Sequence, residues 1–197
     1  MKKADKATRQ KILNAALKHF AHRGYSGASV QAIVDSAKVT KPTLYYYFTD
    51  KAALYKALVD SAHEERFRLM QEASEKGSTL RGKLVEILTA LFEFLKDHRE
   101  LMRLAFATAF ASPGELPPKM NWRKGPQRNF DFIDSLIRKE SKTAQLNRRF
   151  NSKELAFGIY GLMNVYVMAQ LLLPGRPLNR KTAENIVELF LGGAAKT

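Results

Sequence analysis

From one end of the chain to the other, apolar residues recur at steps of three and four, and strand-like alternation never takes over. Ile12, Leu13, Ala16, Leu17 and Phe20 set the pattern, and β-branched runs stay short. A repeat near 3.6 residues puts one apolar stripe on each helix, so the chain is expected to be all-α. Helix punctuation divides it. Gly24, in Arg23-Gly24-Tyr25, suits a left-handed cap ending a first helix over residues 8–23. Ser29 is a good N-cap for a short helix through Ala37, whose inner face is Val30, Ile33 and Val34. Thr40 caps a third helix to Phe48, with Pro42 in the first turn, where a missing N–H costs nothing. A long fourth helix follows over residues 50–76, then helices over 79–97, 99–111, 129–142, 152–173 and 180–191. Residues 112–129 hold four of the seven prolines and read as a loop.

Charge separates the two ends. Lys and Arg number 33 against 19 Asp and Glu in 197 residues, a net +14. Residues 1–51 carry ten basic and three acidic side chains, so a quarter of the chain holds half of the net charge. An anionic partner is expected there: nucleic acid, an anionic membrane or an acidic protein, against the alternative of a merely soluble basic surface. With no Cys, a disulfide scaffold, a Cys-ligated zinc site and a thiol nucleophile are excluded, and a reducing cytoplasmic setting is expected. Met1-Lys2-Lys3 is followed by no apolar stretch of signal-peptide type. The most apolar run, Ala156 to Leu173, approaches the length of a membrane span. It contains Gly158, Gly161, Asn164 and Gln170 and has no companion span, so it reads as a helix buried on more than one side, with no membrane partner.

The stretch from Ser29 to Lys51 carries the functional signal. Two short helices joined by Lys38-Val39, with Val39 pointing inward, satisfy a helix-turn-helix. In the second, Leu44 and Phe48 are four apart and face the core. Pro42 and Tyr46 lie opposite, Thr43 and Tyr45 flank them, and Lys41 stands near the helix start. That outward face offers rings, hydroxyls and a lysine, and no acid. Hydroxyls and Lys suit phosphate, Lys suits guanine, and methyl and ring carbons suit the thymine methyl. A recognition helix presents its N-terminal residues to the bases, the place Thr40 to Thr43 hold. The competing reading is a core cluster of tyrosines. Consecutive helical residues point in different directions, so the three cannot all be core, and Tyr46 is expected outside.

This segment resembles the DNA-binding domain of the TetR (tetracycline-repressor-like) family of bacterial regulators. The matching residues are Phe20-Ala21-His22-Arg23-Gly24-Tyr25, Ser29-Val30, Ile33, Ala37, Val39, Thr40 to Phe48 and Asp50-Lys51. The resemblance covers about residues 8–55; beyond them it rests on total length and the following set of helices. It implies that Thr40, Lys41, Pro42, Thr43, Tyr45 and Tyr46 face bases and nearby phosphates, that Tyr47 and Lys51 hold phosphate, and that Gln31 reaches a base or phosphate. Lys2, Lys3, Lys6 and Arg9 would form a basic arm. The family usually has Gly where this chain has Lys38; if that residue takes a positive φ, Lys costs about 1 kcal/mol relative to Gly. The family also implies a homodimer, usually a repressor, released from an inverted-repeat operator by a small molecule.

The expected organisation is therefore a helix-turn-helix domain over residues 1–51 and a larger helical-bundle domain over 52–197 for ligand binding and dimerisation. Residues 80–111 are rich in Leu, Phe and Met, which ordinary core explains, although some would line an apolar cavity. The candidate ligand-binding residues are Phe92, Met102, Phe106, Phe110, Trp122, Phe130, Tyr160, Met163 and Asn164. Asn164, the one Asn in the most apolar run, needs a partner, either a neighbouring helix or a ligand. Trp122, Arg123, Lys124 and Arg128 gate a pocket, bind an anion, or simply face solvent. The helix over 152–173 is apolar on several faces and that over 180–191 carries one stripe of Ala183, Ile186, Val187, Phe190 and Leu191. The two are expected to pair with their symmetry mates in a four-helix dimer interface.

No Gly-rich phosphate loop and no nucleophile elbow is present, and His19, His22, His63 and His98 lack a completing carboxylate set, so no cofactor, metal or catalytic residue is assigned. The leading expectation is a cytoplasmic, sequence-specific DNA-binding regulator, a homodimeric repressor. Its partners are double-stranded DNA and a small, apolar effector that tilts the fourth helix and changes the spacing of two reading heads. Its rivals are a constitutive DNA-binding dimer without ligand control and a basic protein on anionic membrane.

Overall fold

The computed structural model describes residues 3–118, 120–140, 146, 149–173, 175 and 177–194. Among them the chain is helical, with no strand: α1 (Lys3–Gly27), α2 (Val30–Ala37), α3 (Lys41–Tyr47), α4 (Lys51–Ser74), α5 (Leu80–Asp97), α6 (Arg99–Phe110), α7 (Lys124–Glu140), α8 (Ser152–Leu172) and α9 (Arg180–Ala194). One 3₁₀ turn, Pro113–Glu115, lies between α6 and α7. The expected helices are all present, with shifted ends. Helix α1 begins at Lys3 rather than near residue 8. Helix α7 begins at Lys124 rather than near 129, because Pro126 sits in its first turn, where proline is tolerated. The end of the expected 129–142 helix, like Lys2 of the expected basic arm, lies outside the described residues.

The caps follow the sequence. Ser29 Oγ accepts from the Ala32 N–H (3.1 Å) and Thr40 Oγ1 from the Thr43 N–H (3.3 Å), each satisfying a donor the first helical turn leaves free. Gly24 breaks α1 with φ 67° and ψ 179°. Its φ is positive as expected, but its ψ is extended rather than left-handed helical, a region essentially reserved for glycine.

The chain divides into two compact units. The first joins the residues through Ala62 to Glu100–Arg123; the second joins His63–Arg99 to the residues from Lys124 onward. The reason is packing. The core of the first unit is Ile12, Ala16 and Phe20 of α1, Ile33, Val34 and Ala37 of α2, Leu44 and Phe48, and Leu54 and Leu58 of α4, and α6 adds buried Leu104. Leu101, Leu116 and Met120 pack on its edge. The Tyr55 hydroxyl and Thr108 Oγ1 are 2.7 Å apart in the same interior, and burial pushes the Tyr55 phenol above its ordinary pKa. Each fully buried Phe or Ile here contributes about 1.5–3 kcal/mol of apolar burial.

In the second unit, α5 packs on α9 and α7 on α8. Leu84, Leu88 and Phe92 of α5 are buried there, as are Ile133 and Ile137 of α7, Ile159, Met163 and Val167 of α8, and Ala183, Ile186 and Val187 of α9. Ion pairs link the helices: Arg180 to Glu86 (2.6 Å), Arg81 to Glu188 (2.5 Å) and half-buried Lys83 to Glu140 (2.6 Å). Helix α8 is long and apolar enough to cross a membrane by length and composition alone. One face is core. On another, Phe157, Gly161, Val165 and Leu172 are exposed at helical spacing, and Leu189 of α9 is exposed too.

Candidate nucleic-acid interface

Helix α3 turns Leu44 and Phe48 inward and leaves the rest of its surface outside. Leu44 is fully buried and Phe48 nearly so. Lys41, Pro42 and Tyr45 are exposed, and Tyr46 is the most open tyrosine at 76%. The one-sided burial follows from the four-residue step between Leu44 and Phe48, which fastens a seven-residue helix by a single stripe. Thr40 and Thr43 are bound to each other at the helix start, Oγ1 to Oγ1 2.9 Å. Tyr45 and Tyr46 stand exposed beside them, Tyr46 edge to face with Tyr47 at 5.0 Å, and Lys41 and Pro42 are exposed as well.

The turn before α3 adopts the strained form. Lys38 has φ 55° and ψ 46°, the left-handed helical region, with its N–H on the Asp35 and Val34 carbonyls. This is the positive φ anticipated at the glycine position. Val39 is half-buried and packs on the first unit's core.

Three anticipated DNA contacts have partners inside the protein. Lys51 Nζ donates to the Tyr25 carbonyl (2.9 Å) and the Ala28 carbonyl (3.0 Å), and lies 4.4 Å from the Tyr25 ring centroid. Its ammonium thus closes two carbonyls, one in the last turn of α1 and one just beyond it. Tyr47 donates its hydroxyl to Asp5 Oδ1 (3.0 Å). Desolvation and that carboxylate raise the Tyr47 pKa, so the phenol keeps its proton. Gln31, exposed on α2, donates from Nε2 to Asp35 Oδ1 (2.8 Å). Of the basic arm, Lys6 is exposed on α1, and the Arg9 guanidinium lies 5.1 Å from the Phe48 ring centroid.

The anticipated ligand residues divide between the units. Met102, Phe106, Phe110 and Trp122 belong to the first; Phe92, Phe130, Tyr160, Met163 and Asn164 belong to the second. Phe110 is 75% exposed and lines no interior. Phe92 and Met163 are core residues of their unit. Phe130, Tyr160 and Asn164 do come together. Phe130 meets Tyr160 edge to face at 5.8 Å, and Asn164 Oδ1 accepts from Arg66 Nη2 at 2.7 Å. The Arg66 guanidinium also sits 5.3 Å from the Tyr160 ring centroid. The partner of Asn164 is therefore a neighbouring helix, α4. Arg128 lies on α7, paired with Glu64 at 2.8 Å and set over the Phe67 ring, rather than in a loop. Among the described residues no cluster of His, Asp and Glu is placed to hold a metal.

Arg66 is the residue that the sequence reading missed. The signal was available: Leu58, Ala62, Met70 and Ala73 mark the buried stripe of α4, and Arg66 occupies the position between Ala62 and Met70. An arginine in an apolar stripe is an anomaly to be explained.

Residues 12–58 match the model for "Bacterial regulatory proteins, tetR family". Over 167 residues the chain is 29% identical to the uncharacterized HTH-type transcriptional regulator YuxN of Bacillus subtilis, covering 82% of this chain and 54% of that one. The chain spans about half the length of YuxN and of other curated relatives that it matches. Its fold is that of the fatty acid degradation regulator FadR from Bacillus halodurans, with a TM-score of 0.82 at 19% identity, covering 94% of this chain and 95% of that one. It is likewise that of FadR from Bacillus subtilis, solved in complex with stearoyl-CoA, with a TM-score of 0.75 at 19% identity over 93% and 98% of the chains. The matched segment contains all of α2 and α3 with the adjoining parts of α1 and α4, and over it the chain is similar to the tetR family of bacterial regulatory proteins.

Proposed function

We propose that the protein is a homodimeric, DNA-binding transcriptional regulator of the bacterial cytoplasm, a repressor released by a small molecule. The observation that carries the DNA-binding reading is the outward surface of α3: Lys41, Pro42, Tyr45 and Tyr46 are exposed, with no acid among them, on a chain of net charge +14. A buried stripe fixes the helix and an open ridge remains to enter a major groove. Thr40 and Thr43 flank the entering end, and Gln31 offers its amide oxygen from α2. Tyr47 and Lys51 act behind this surface, holding Asp5 and the α1–α2 junction. Binding is tested by fluorescence anisotropy on duplexes recovered from a random pool. Tyr46→Ala is expected to leave the fold intact and to change which duplexes bind. Equal loss on selected and random duplexes would remove Tyr46 from base reading.

Two further observations support the rest of the reading. The exposed apolar face of Phe157, Gly161, Val165 and Leu172 is the kind of surface a second copy covers, and α9 adds an exposed Leu189. A groove of about 660 Å³ lined by Val165, Ala169, Leu173 and Leu178 adjoins that face. Helix α4 takes part in both units, so a ligand that moves its second half has a covalent route to the first. The stearoyl-CoA complex of the Bacillus subtilis FadR supports an effector with a long apolar part.

A further inference from the structure

The second unit buries a guanidinium that no carboxylate of the described residues matches. Arg66 is 5% exposed, and among the described residues no acidic side chain reaches it within ion-pair distance. Its Nη2 donates to Asn164 Oδ1 and its plane faces Tyr160, while Nε is buried with no hydrogen-bond partner. A guanidinium keeps its charge at any physiological pH. An amide dipole and a ring face offset only part of what its burial costs, which is why buried charges are normally paired with charge.

A second anomaly lies on the adjoining helix. Asn129 of α7 is fully buried, and neither its Oδ1 nor its Nδ2 has a partner among the described residues. Its neighbours in sequence touch the same group of helices. Arg128 pairs with Glu64 of α4, and Phe130 packs on Tyr160 and Phe157 of α8. Gly125 lets α7 approach closely, since a Cβ there would fall 2.6 Å from His63 Cβ. Arg66 of α4 thus meets Asn164 and Tyr160 of α8, and Phe130, the residue after Asn129 on α7, packs on the same Tyr160 ring.

We propose that the effector is an acid: an oxyanion, carboxylate or phosphate, carried on an apolar body, which pairs with Arg66 and accepts from Asn129 Nδ2. This deepens the effector-control reading and rests on it. The oxyanion supplies the missing charge, and its planar or tetrahedral oxygens match the donor fork of a guanidinium. The rings take the apolar part. Arg66 is then the specificity-determining residue, because an uncharged analogue leaves the guanidinium unmatched.

The test uses the full-length protein with three probes of one chain length: decanoate, decyl phosphate and decanol. Affinity is read by isothermal titration and thermal stability by the melting temperature. One or both acids are expected to bind at least about tenfold more tightly than decanol, the value of one charge-assisted hydrogen bond, and to raise the melting temperature. Which acid is tighter tells carboxylate from phosphate. Arg66→Gln is expected to lose about tenfold or more in acid affinity and to bind decanol as before. Arg66→Met, without probe, is expected to melt no lower than the wild type, because it exchanges an unmatched charge for apolar packing. If acids and decanol bind wild-type protein alike, or Arg66→Gln keeps its acid affinity, the acid proposal is overturned and effector control stands. If none of the three binds, the acid proposal is overturned and effector control loses its support from this site.

Discussion

Two lysines show how much a single side chain's surroundings decide. Lys38 holds a left-handed conformation that costs an L-residue about 1–2 kcal/mol. Replacing it by Gly relieves that strain and adds back some unfolded-state entropy. Lys38→Gly is expected to raise stability by about 0.5–1 kcal/mol, read as a higher urea midpoint at unchanged m-value. Lys51 spends its charge on two backbone carbonyls. Lys51→Ala is expected to lower stability by about 1–3 kcal/mol, since hydrogen bonds to a charged group are lost and the carbonyls are left open. The slope of DNA affinity against salt should then stay as in the wild type; a slope reduced by about one unit would restore Lys51 to the phosphates. These two bonds were not legible in the sequence for a physical reason. Tyr25 and Ala28 lie more than twenty residues from Lys51, so no local pattern pairs them with it. Tyr46 was legible for the opposite reason: two stripe residues four apart determine where a neighbouring side chain must point.

Helices were the legible scale. The caps at Ser29 and Thr40 hold the bonds their residue types suggest, because N-capping is local chemistry. The start of α7 was not legible, since Gly125 and Pro126 read as loop until α4 is seen packed against that turn. Arg66 was passed over although it breaks the apolar stripe of α4; periodicity weighs the stripe and hides one exception. Between helices, the link from α5 to α9 carries a pH prediction. The Arg180 guanidinium holds the Glu86 carboxyl below its ordinary pKa, mainly by hydrogen bonding. Because the folded value is the lower one, the pair's contribution is present above the ordinary Glu range and is lost as pH falls through the folded value. Acid unfolding followed by circular dichroism should show that loss below about pH 4.5, and Glu86→Gln should show a flatter acid limb. An unchanged acid limb in the variant would leave the pair without a role in stability.

At the scale of the whole molecule, the division into units depended on contacts that local reading does not reach. Leu104, Leu116 and Met120 join a core built mostly from the first sixty residues. The outward faces of α8 and α9 bear on assembly. Val165 is 54% exposed, so Val165→Glu should alter the stability of an isolated subunit by no more than about 0.5 kcal/mol. In a dimer closed by this face it places a charge in an apolar contact. Sedimentation equilibrium is expected to show a dimer for the wild type and a monomer for Val165→Glu, with DNA affinity falling as the second reading head is lost. A variant that stays dimeric would move the interface elsewhere.

The central claim is that α3 reads duplex DNA from its exposed face. The most direct measurement is selection of duplexes from a random pool by the purified protein at low salt, followed by sequencing of those retained. An inverted repeat is the predicted result, with half-sites about one helical turn or slightly more apart and with positions whose preference changes in Tyr46→Ala. A pool that emerges without any enriched sequence would contradict it.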